Sequence, residues 1–385
     1  MSLMEVFYDL NSKIRGRPDY VLLFLTVLLV GFGLMMIFSA SYPVAILKHN
    51  SPWHYVVKQG VFALIGLFVM FIFMGIPFSR WKKASPILLL FSLLALMLVL
   101  IGGANINGAR RWFVLSGFNL QPAEFTKLSI IVYLSAIISK KGDQIRNFRR
   151  GLLPILVMIG IILLLVMKQP DFGTVLILFF IAITILLVGG VDLRHLIILF
   201  LALVPVLIYL AMSKSYRLQR ITSFLHPLDH PDDSGYQLIQ SLYALGNGGL
   251  RGTGIGHSVQ KIFYLPEAYT DFIFAVVGEE LGFIGTSMLI IVFFLFIWRG
   301  FIAAIRSNDP FGLMLGMGIV MMICIQMMLN IGAVIGSLPI TGVPLPFISY
   351  GGSSLILCLA CTGILISISR DNYRRRKEND RNSTK

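Results

Sequence analysis

One carboxylate and a handful of cations stand out in this chain by where they sit. Asp271 lies where a long polar segment meets an apolar run, so that loop and helix together can fix its position. A carboxylate held there can take a proton from an attacking hydroxyl; the same place also suits a helix N-cap or first-turn acid. Glu267, four residues earlier, is the other nearby acid, and a loop-stabilising role fits it at least as well. Arg217 and Arg220, at i and i+3, share a face if their stretch is helical, and guanidinium groups clamp phosphate bidentately. Their structural reading is contact with lipid headgroups or pairing with Asp229, Asp232 or Asp233. Lys261 and Arg111 are further cations of the same kind. Glu124 and Lys127, again at i and i+3, fall inside an apolar run, where charges are costly and mark a pathway or a mutually neutralising pair. Asp171, beside Lys168, forms another polar island with a cavity role or a structural one.

The glycine run GNGGLRGTGIG (246–256) invites a phosphate reading but lacks the P-loop pattern. A backbone nest for an anion and plain loop geometry both stay open for it. His226, His230 and His257 share the long polar segment with three aspartates without any recognised zinc spacing, so no resident metal is expected. A divalent cation, Mg or Mn, travelling with a diphosphate stays open as the one cofactor. Cys324, Cys358 and Cys361 all lie in apolar runs, so neither a disulfide nor a zinc site is expected.

What must position these groups is a membrane bundle. The 385 residues are 57% hydrophobic and 13% charged, with a mean hydropathy of +0.84, against roughly a quarter charged in a soluble domain. The apolar runs reach the ~18–20 residues that cross a bilayer. Hydropathy predicts ten spans at about 20–42, 56–77, 85–103, 121–139, 152–168, 173–190, 194–212, 271–297, 311–334 and 350–369. The expected fold is therefore all-α: a polytopic membrane protein forming one integral-membrane domain over 1–385. Residues 1–19 form a polar N-terminus without a cleavage pattern, so the first span reads as a retained anchor; 370–385 form a basic tail. Ten crossings put both termini on one side, and 21 of the 32 Lys and Arg fall in segments on that side. The positive-inside rule makes that side cytoplasmic. Most of the +14 net charge is thus topology and asks for no nucleic acid, and Arg374 to Lys377 read as contacts to anionic membrane lipid.

The polar connections gather on the opposite, outer face. They are Gly103–Gln121, the turn at 168–173, the large extracellular loop 213–270 between helices 7 and 8, and the Pro/Gly-rich run 336–352. Gly278/Gly282 and Gly332/Gly336, each spaced Gly-x-x-x-Gly, read as packing positions between helices. No convincing repeat relates the two halves of the chain, which weakens a transporter with inverted repeats.

The segments KIFYLPEAYTDFIF (261–274) and GEELG (278–282), following the glycine run, resemble the signature of the SEDS family (RodA, FtsW and SpoVE) around its extracellular catalytic aspartate. RRW (110–112), QPAEFTK (121–127), KQPDFGT (168–174), NIG (330–332) and LPITGVPLPFISYGGSS (338–354) match in order. The resemblance spans roughly residues 20–370, and YRLQRITSF (216–224) with Asp171-Phe172-Gly173 looks more like the division and sporulation branch. Tyr269 departs from it: the family usually carries His there. A mechanism needing that imidazole loses support here, whereas one resting on Asp271 does not.

The resemblance implies a peptidoglycan glycosyltransferase that polymerises lipid II at the outer leaflet of the cytoplasmic membrane, working with a class B penicillin-binding protein. On that reading Asp271 is the choice for the general base, and Arg217, Arg220, Lys261, Arg111, Glu124, Lys127 and Asp171 are the candidates for binding substrate, each beside the structural alternative given above. The chemistry fits: a diphosphate leaves without protonation, so transfer needs one base and cations around the departing charge, where a hydrolase needs two flanking carboxyl groups. A lipid flippase, with Glu124, Lys127 and Asp171 lining a path, and a non-enzymatic scaffold are the competing readings.

Overall fold

In lipid, every backbone N–H and C=O must find its partner inside the segment, so each apolar run folds as a helix. The computed structural model describes residues 16–106, 108–115, 118–199, 201, 205, 222–227, 229 and 234–383. In chain order its main helices are α1 (Tyr20–His49), α2 (His54–Gly75), α3 (Ser79–Gly102), α4 (Pro122–Lys141), α5 (Leu153–Lys168), α6 (Phe172–Val188), α7 (Ser234–Gly248), α8 (Ile273–Ile305), α9 (Pro310–Val334) and α10 (Gly352–Ser383). Among the described residues eight helices are long and apolar enough to cross a membrane, and α6, with 17 residues, is a shorter apolar one. The protein is an all-α polytopic membrane protein. The expected seventh span, 194–212, and the pair Arg217 and Arg220 lie largely or wholly outside the described residues.

Helix starts follow local chemistry. Asp19 caps α1 by accepting from the Val21 and Leu22 amides at 3.1 Å each, and Asp309 caps α9 through the Phe311 amide at 2.9 Å. Lys140 and Lys141 occupy the last turn of α4, where a cation complements the helix dipole. Three polar segments carry regular structure. Part of the loop 213–270 is the helix α7. The basic tail from 370 continues α10 as far as Ser383. The excursion 103–121 is a small antiparallel meander, β1 (Ala104–Ile106), β2 (Ala109–Leu115) and β3 (Phe118–Leu120), with Asn105 opposite Arg110 and Val114 opposite Asn119.

The most extensive helix pairing joins α2 to α10. Glycines make it close: a Cβ on Gly66 would stand 2.5 Å from Leu359 Cδ1, and one on Gly363 would stand 2.5 Å from the Met70 carbonyl oxygen. Small residues at such positions let helix backbones approach. Large side chains such as Phe24, Leu64, Ile87 and Ile101 point outward and are well exposed, as a lipid-facing girdle requires. Arg370 donates through Nε to the Gly16 carbonyl at 3.3 Å, so residues 16 and 370 meet at the same end of the bundle.

Candidate functional site

The start of α8 is shaped by a break. Gly282, inside the helix, has φ 67° and ψ −166°, a conformation open to glycine alone. A Cβ there would also stand 2.3 Å from the Gly252 amide nitrogen. The break frees two amides and two carbonyls, and the glycine-rich segment meets all four. Phe283 and Ile284 donate to the carbonyls of Gly249 and Leu250 at 2.9 and 3.1 Å. The carbonyls of Glu279 and Glu280 accept from the amides of Thr253 and Gly254 at 2.9 and 3.0 Å. Loop and helix thus share one ladder. Within the run, the amides of Thr253 and Gly254 are spent on this ladder and those of Gly249 and Gly252 on the carbonyls of Gly246 and Gly248, which favours plain loop structure for those four positions. Gly278 belongs to the same packing, since a Cβ on Gly248 would collide with its carbonyl. Gly332 and Gly336 instead close the end of α9: the Ser337 and Leu338 amides donate to the Gly332 carbonyl at 2.8 and 2.9 Å.

Two consecutive acids on α8 anchor the rest of the loop, and both are fully buried. Glu279 accepts from the Val259 and Gln260 amides at 3.2 Å each and from the Ser258 hydroxyl. Glu280 pairs with the Lys261 ammonium at 2.6 Å and accepts from the Ser39 hydroxyl on α1, also at 2.6 Å. The Lys261 ammonium, itself buried, donates in addition to the Ser39 oxygen at 2.9 Å. Lys261 is therefore a strut from loop to helix, its ammonium buried against Glu280 and Ser39.

Held by this frame, Asp271 stands half-buried two residues before α8, one residue outside the N-cap position at Phe272. Its carbonyl accepts from Asn330 Nδ2 at 2.7 Å, and the same nitrogen donates to the Val343 carbonyl at 2.8 Å. Asn330 thereby joins the end of α9, the start of α8 and the run 336–352. Gly342, at φ 70°, lies against the Asp271 carboxylate: a Cβ there would sit 3.4 Å from Oδ2. Glu267 is exposed; its carboxylate accepts from the Thr270 hydroxyl at 2.7 Å and its carbonyl from the Phe272 amide at 3.2 Å. It shapes the turn that presents Asp271.

Tyr269 packs its ring against Tyr55 and Tyr350, and its carbonyl accepts from the Tyr350 amide at 3.0 Å. Burial pushes its phenol well above the ordinary tyrosine range, and a hydrogen bond with Tyr55 adds to the rise. It stays neutral where an imidazole would titrate.

The other two polar segments join the same end of the bundle. Arg111, on β2, donates through Nε to the Gln169 carbonyl at 2.7 Å and through Nη2 to that of Pro170, pinning the meander to the turn between α5 and α6. Asp171 caps α6, accepting from the Thr174 amide at 3.1 Å and hydroxyl at 2.9 Å, and from Gln121 Nε2 at 3.0 Å. Its partners are Thr174 and Gln121, while Lys168 is exposed. Gly173 abuts the run 336–352, where a Cβ would stand 2.9 Å from the Thr341 carbonyl oxygen. Ser353, at the start of α10, donates to the Asn119 carbonyl at 2.9 Å. Glu124 and Lys127 lie buried in α4 as an ion pair of 2.7 Å, with Glu124 Oε2 lacking a partner among the described residues.

Sequence reasoning missed Glu279, Glu280, Ser39, Gln121 and Asn330 as site-building residues. For the two glutamates a signal was present, since adjacent acids inside an apolar run must be paired or bonded. Asn330 and Gln121 lie in the matching segments NIG and QPAEFTK, but the resemblance gave neither a structural role; Ser39 is one of several small polar residues in an apolar helix, and nothing local distinguishes it.

Comparison with known proteins sets this geometry in context. A family model described as a cell cycle protein, covering FtsW, RodA and SpoVE, matches residues 20–374. Stage V sporulation protein E of Bacillus subtilis (strain 168) is 43% identical over 358 residues, covering 92% of this chain and 98% of its own length. A probable peptidoglycan glycosyltransferase FtsW of Geobacter sulfurreducens is 44% identical over 363 residues, 94% of this chain and 97% of its own. Among solved structures, RodA of Thermus thermophilus matches with a TM-score of 0.69 and 28% identity, covering 92% of this chain and 98% of that one. A chain from a study of how a peptidoglycan synthase complex coordinates polymerization and crosslinking matches with a TM-score of 0.75 and 29% identity, covering 93% of this chain and 99% of that one.

Proposed function

This chain belongs to the FtsW/RodA/SpoVE family of cell cycle proteins, and from that premise we propose that it is a peptidoglycan glycosyltransferase with Asp271 as its general base. The observation that carries the reading is the joining of four polar segments at one end of the bundle, with the half-buried Asp271 carboxylate among them against Gly342. The substrate is lipid II, a disaccharide-peptide on a polyprenyl diphosphate. The acceptor hydroxyl loses its proton to Asp271 as its oxygen attacks the anomeric carbon of the donor. The bond from that carbon to the diphosphate breaks with inversion, and the diphosphate leaves without protonation.

Arg217 and Arg220 are assigned to the departing diphosphate. Arg111, Lys261 and Asp171 act by holding that end of the bundle in shape, because their polar atoms are spent on protein partners. Any divalent cation, Mg or Mn, is assigned to the diphosphate itself: among the described residues no three His, Cys, Asp or Glu side chains converge as ligands. The meeting of residues 16 and 370 and the Lys/Arg bias support a cytoplasmic-membrane protein with both termini inside, so the end bearing Asp271 faces the outer leaflet. The partner is a class B penicillin-binding protein, a single-span transpeptidase; likeness to a chain studied in a polymerising and crosslinking complex supports that pairing. Glu124 and Lys127 neutralise each other, which supports a structural role over the lining of a carrier's path.

The test is polymerisation of fluorescent lipid II by purified protein in detergent, with and without such a transpeptidase. Asp271→Asn keeps the size of the side chain but cannot accept the proton, so the rate falls about 10²–10⁴-fold while folding and partner binding persist. A flippase would make no glycan without a compartment, and a scaffold would be indifferent to the change. Long glycan made by Asp271→Asn at a rate near wild type would remove Asp271 from the mechanism.

A further inference from the structure

The end of the bundle opposite Asp271 holds a cavity of about 810 Å³ that the polymerase reading leaves without a role. It lies between the start of α1, the end of α8 and the late turns of α10, and its wall includes Arg17, Arg299, Arg306 and Arg375 against one acid, Asp19. Two of these charges are satisfied within the protein: Arg299 pairs with Asp19 at 2.7 Å, and Arg375 pairs with Asp371, also at 2.7 Å. Arg17 and Arg306 are exposed and make no ion pair among the described residues. The Arg299 Nε–H is buried and has no acceptor among the described residues, so the wall offers a donor as well as charge. Tyr20, Val21 and Tyr373 line the same cavity and are 64%, 47% and 41% exposed. Tyrosines beside open apolar surface are what a protein sets at the boundary between hydrocarbon and headgroups. Cations and an unmet donor ask for an oxyanion, and the rim places that oxyanion at the membrane surface.

We infer that this cavity binds the phosphate of an anionic phospholipid headgroup from the leaflet on the side of residues 16 and 370. Arg17 and Arg306 supply the attraction, the Arg299–Asp19 pair fixes the back wall, and the acyl chains leave past Tyr20 and Val21. The basic stretch from Arg374 is then not the whole lipid contact, since Asp371 already engages Arg374 and Arg375.

The full chain is purified in detergent and titrated with dioctanoyl phosphatidylglycerol, dioctanoyl phosphatidylcholine and inorganic phosphate, with binding read by native mass spectrometry. Phosphatidylglycerol should bind, and the other two should not compete with it. Arg17→Gln and Arg306→Gln should each weaken binding about fivefold, and the double variant about 25-fold, at ~1 kcal/mol per basic residue near a membrane surface. Both side chains are exposed, so the fold is retained. Lys140→Gln/Arg149→Gln removes two cations elsewhere on the bundle and should change binding less than twofold. Equal loss in that control would reduce the effect to general surface charge and overturn the site. Competition by inorganic phosphate would reassign it to a soluble anion, and equal binding of phosphatidylcholine, which carries the same phosphate beside a choline cation, would remove the selectivity for an anionic headgroup and overturn the proposal. Because the readout is binding alone, failure here leaves the assignment of Asp271 untouched.

Discussion

Lys261→Met separates a strut from a substrate contact. The Lys261 and Glu280 side chains are 5% and 0% exposed, 2.6 Å apart, and share the Ser39 hydroxyl. Removing the ammonium leaves a buried carboxylate with Ser39 as its one remaining hydrogen-bond donor among the described residues. Breaking one side of such a pair costs about 3–5 kcal/mol, a large part of the ~5–15 kcal/mol that holds a typical domain folded. The methionine chain fills the space of the lysine stem, so little of the loss is packing. Lys261→Met/Glu280→Met removes the stranded charge as well, and replacing both partners of a buried pair by apolar side chains of similar volume is often nearly neutral. The assay is thermal unfolding of the purified protein in detergent, with lipid II polymerisation measured on the same preparations. The single variant should lose both stability and activity, and the double variant should regain most of both. The reasoning is refuted if the single variant is as stable as wild type. It is refuted equally if the double variant is stable but inactive, because the ammonium would then be acting on substrate.

Three further outcomes follow from the same frame. Gly282→Ala should abolish monodisperse protein in size-exclusion chromatography, because its Cβ would meet the Gly252 amide at 2.3 Å and the backbone strain alone costs ~1–3 kcal/mol; Gly160→Ala, with open space around it, should behave as wild type. Asn330→Ala leaves the buried carbonyls of Asp271 and Val343 without that donor, at ~1–3 kcal/mol for each group left unmet, and should lower kcat with KM little changed because Asp271 is no longer held. Burial pushes the Tyr350 phenol up to about 12, with Tyr55 nearby adding to it, against ~10 in the unfolded chain. The unfolded state therefore loses its proton first, and stability falls as pH rises from about 10 to about 12; Tyr350→Phe should flatten the decline of apparent Tm above pH ~10.

Hydropathy finds the spans because a bilayer demands long apolar runs, and nine of the ten expected segments are helical within a few residues at most ends. It fails where a helix outruns its apolar stretch. The first span continues through Pro43 to His49, and the last runs on to Ser383 on polar residues. It is blind to α7, whose apolar face is only one side of a helix in a polar segment, and to the three-residue strands of the meander. At the site, the position of Asp271 at the entry to a span could be read from the chain. The supports could not, because Asn330 reaches the Asp271 carbonyl, Ser39 reaches Glu280 and Gln121 reaches Asp171 from segments distant in sequence. Lys261 looked like a ligand for phosphate because its charge is visible in the sequence and its partner is not.

The break at Gly282 also sets a height. From Phe283 to Ile305 the helix has about 23 residues, roughly 34 Å at ~1.5 Å of rise each, close to the ~30 Å of hydrocarbon in a bilayer. That lower piece is enough to cross by itself. The upper piece, from Ile273 to Leu281, adds about 13 Å of helix by the same rise and carries Asp271 toward the end of the bundle where the polar segments join. A carboxylate held at that end would meet a lipid-borne diphosphate without the lipid leaving its leaflet.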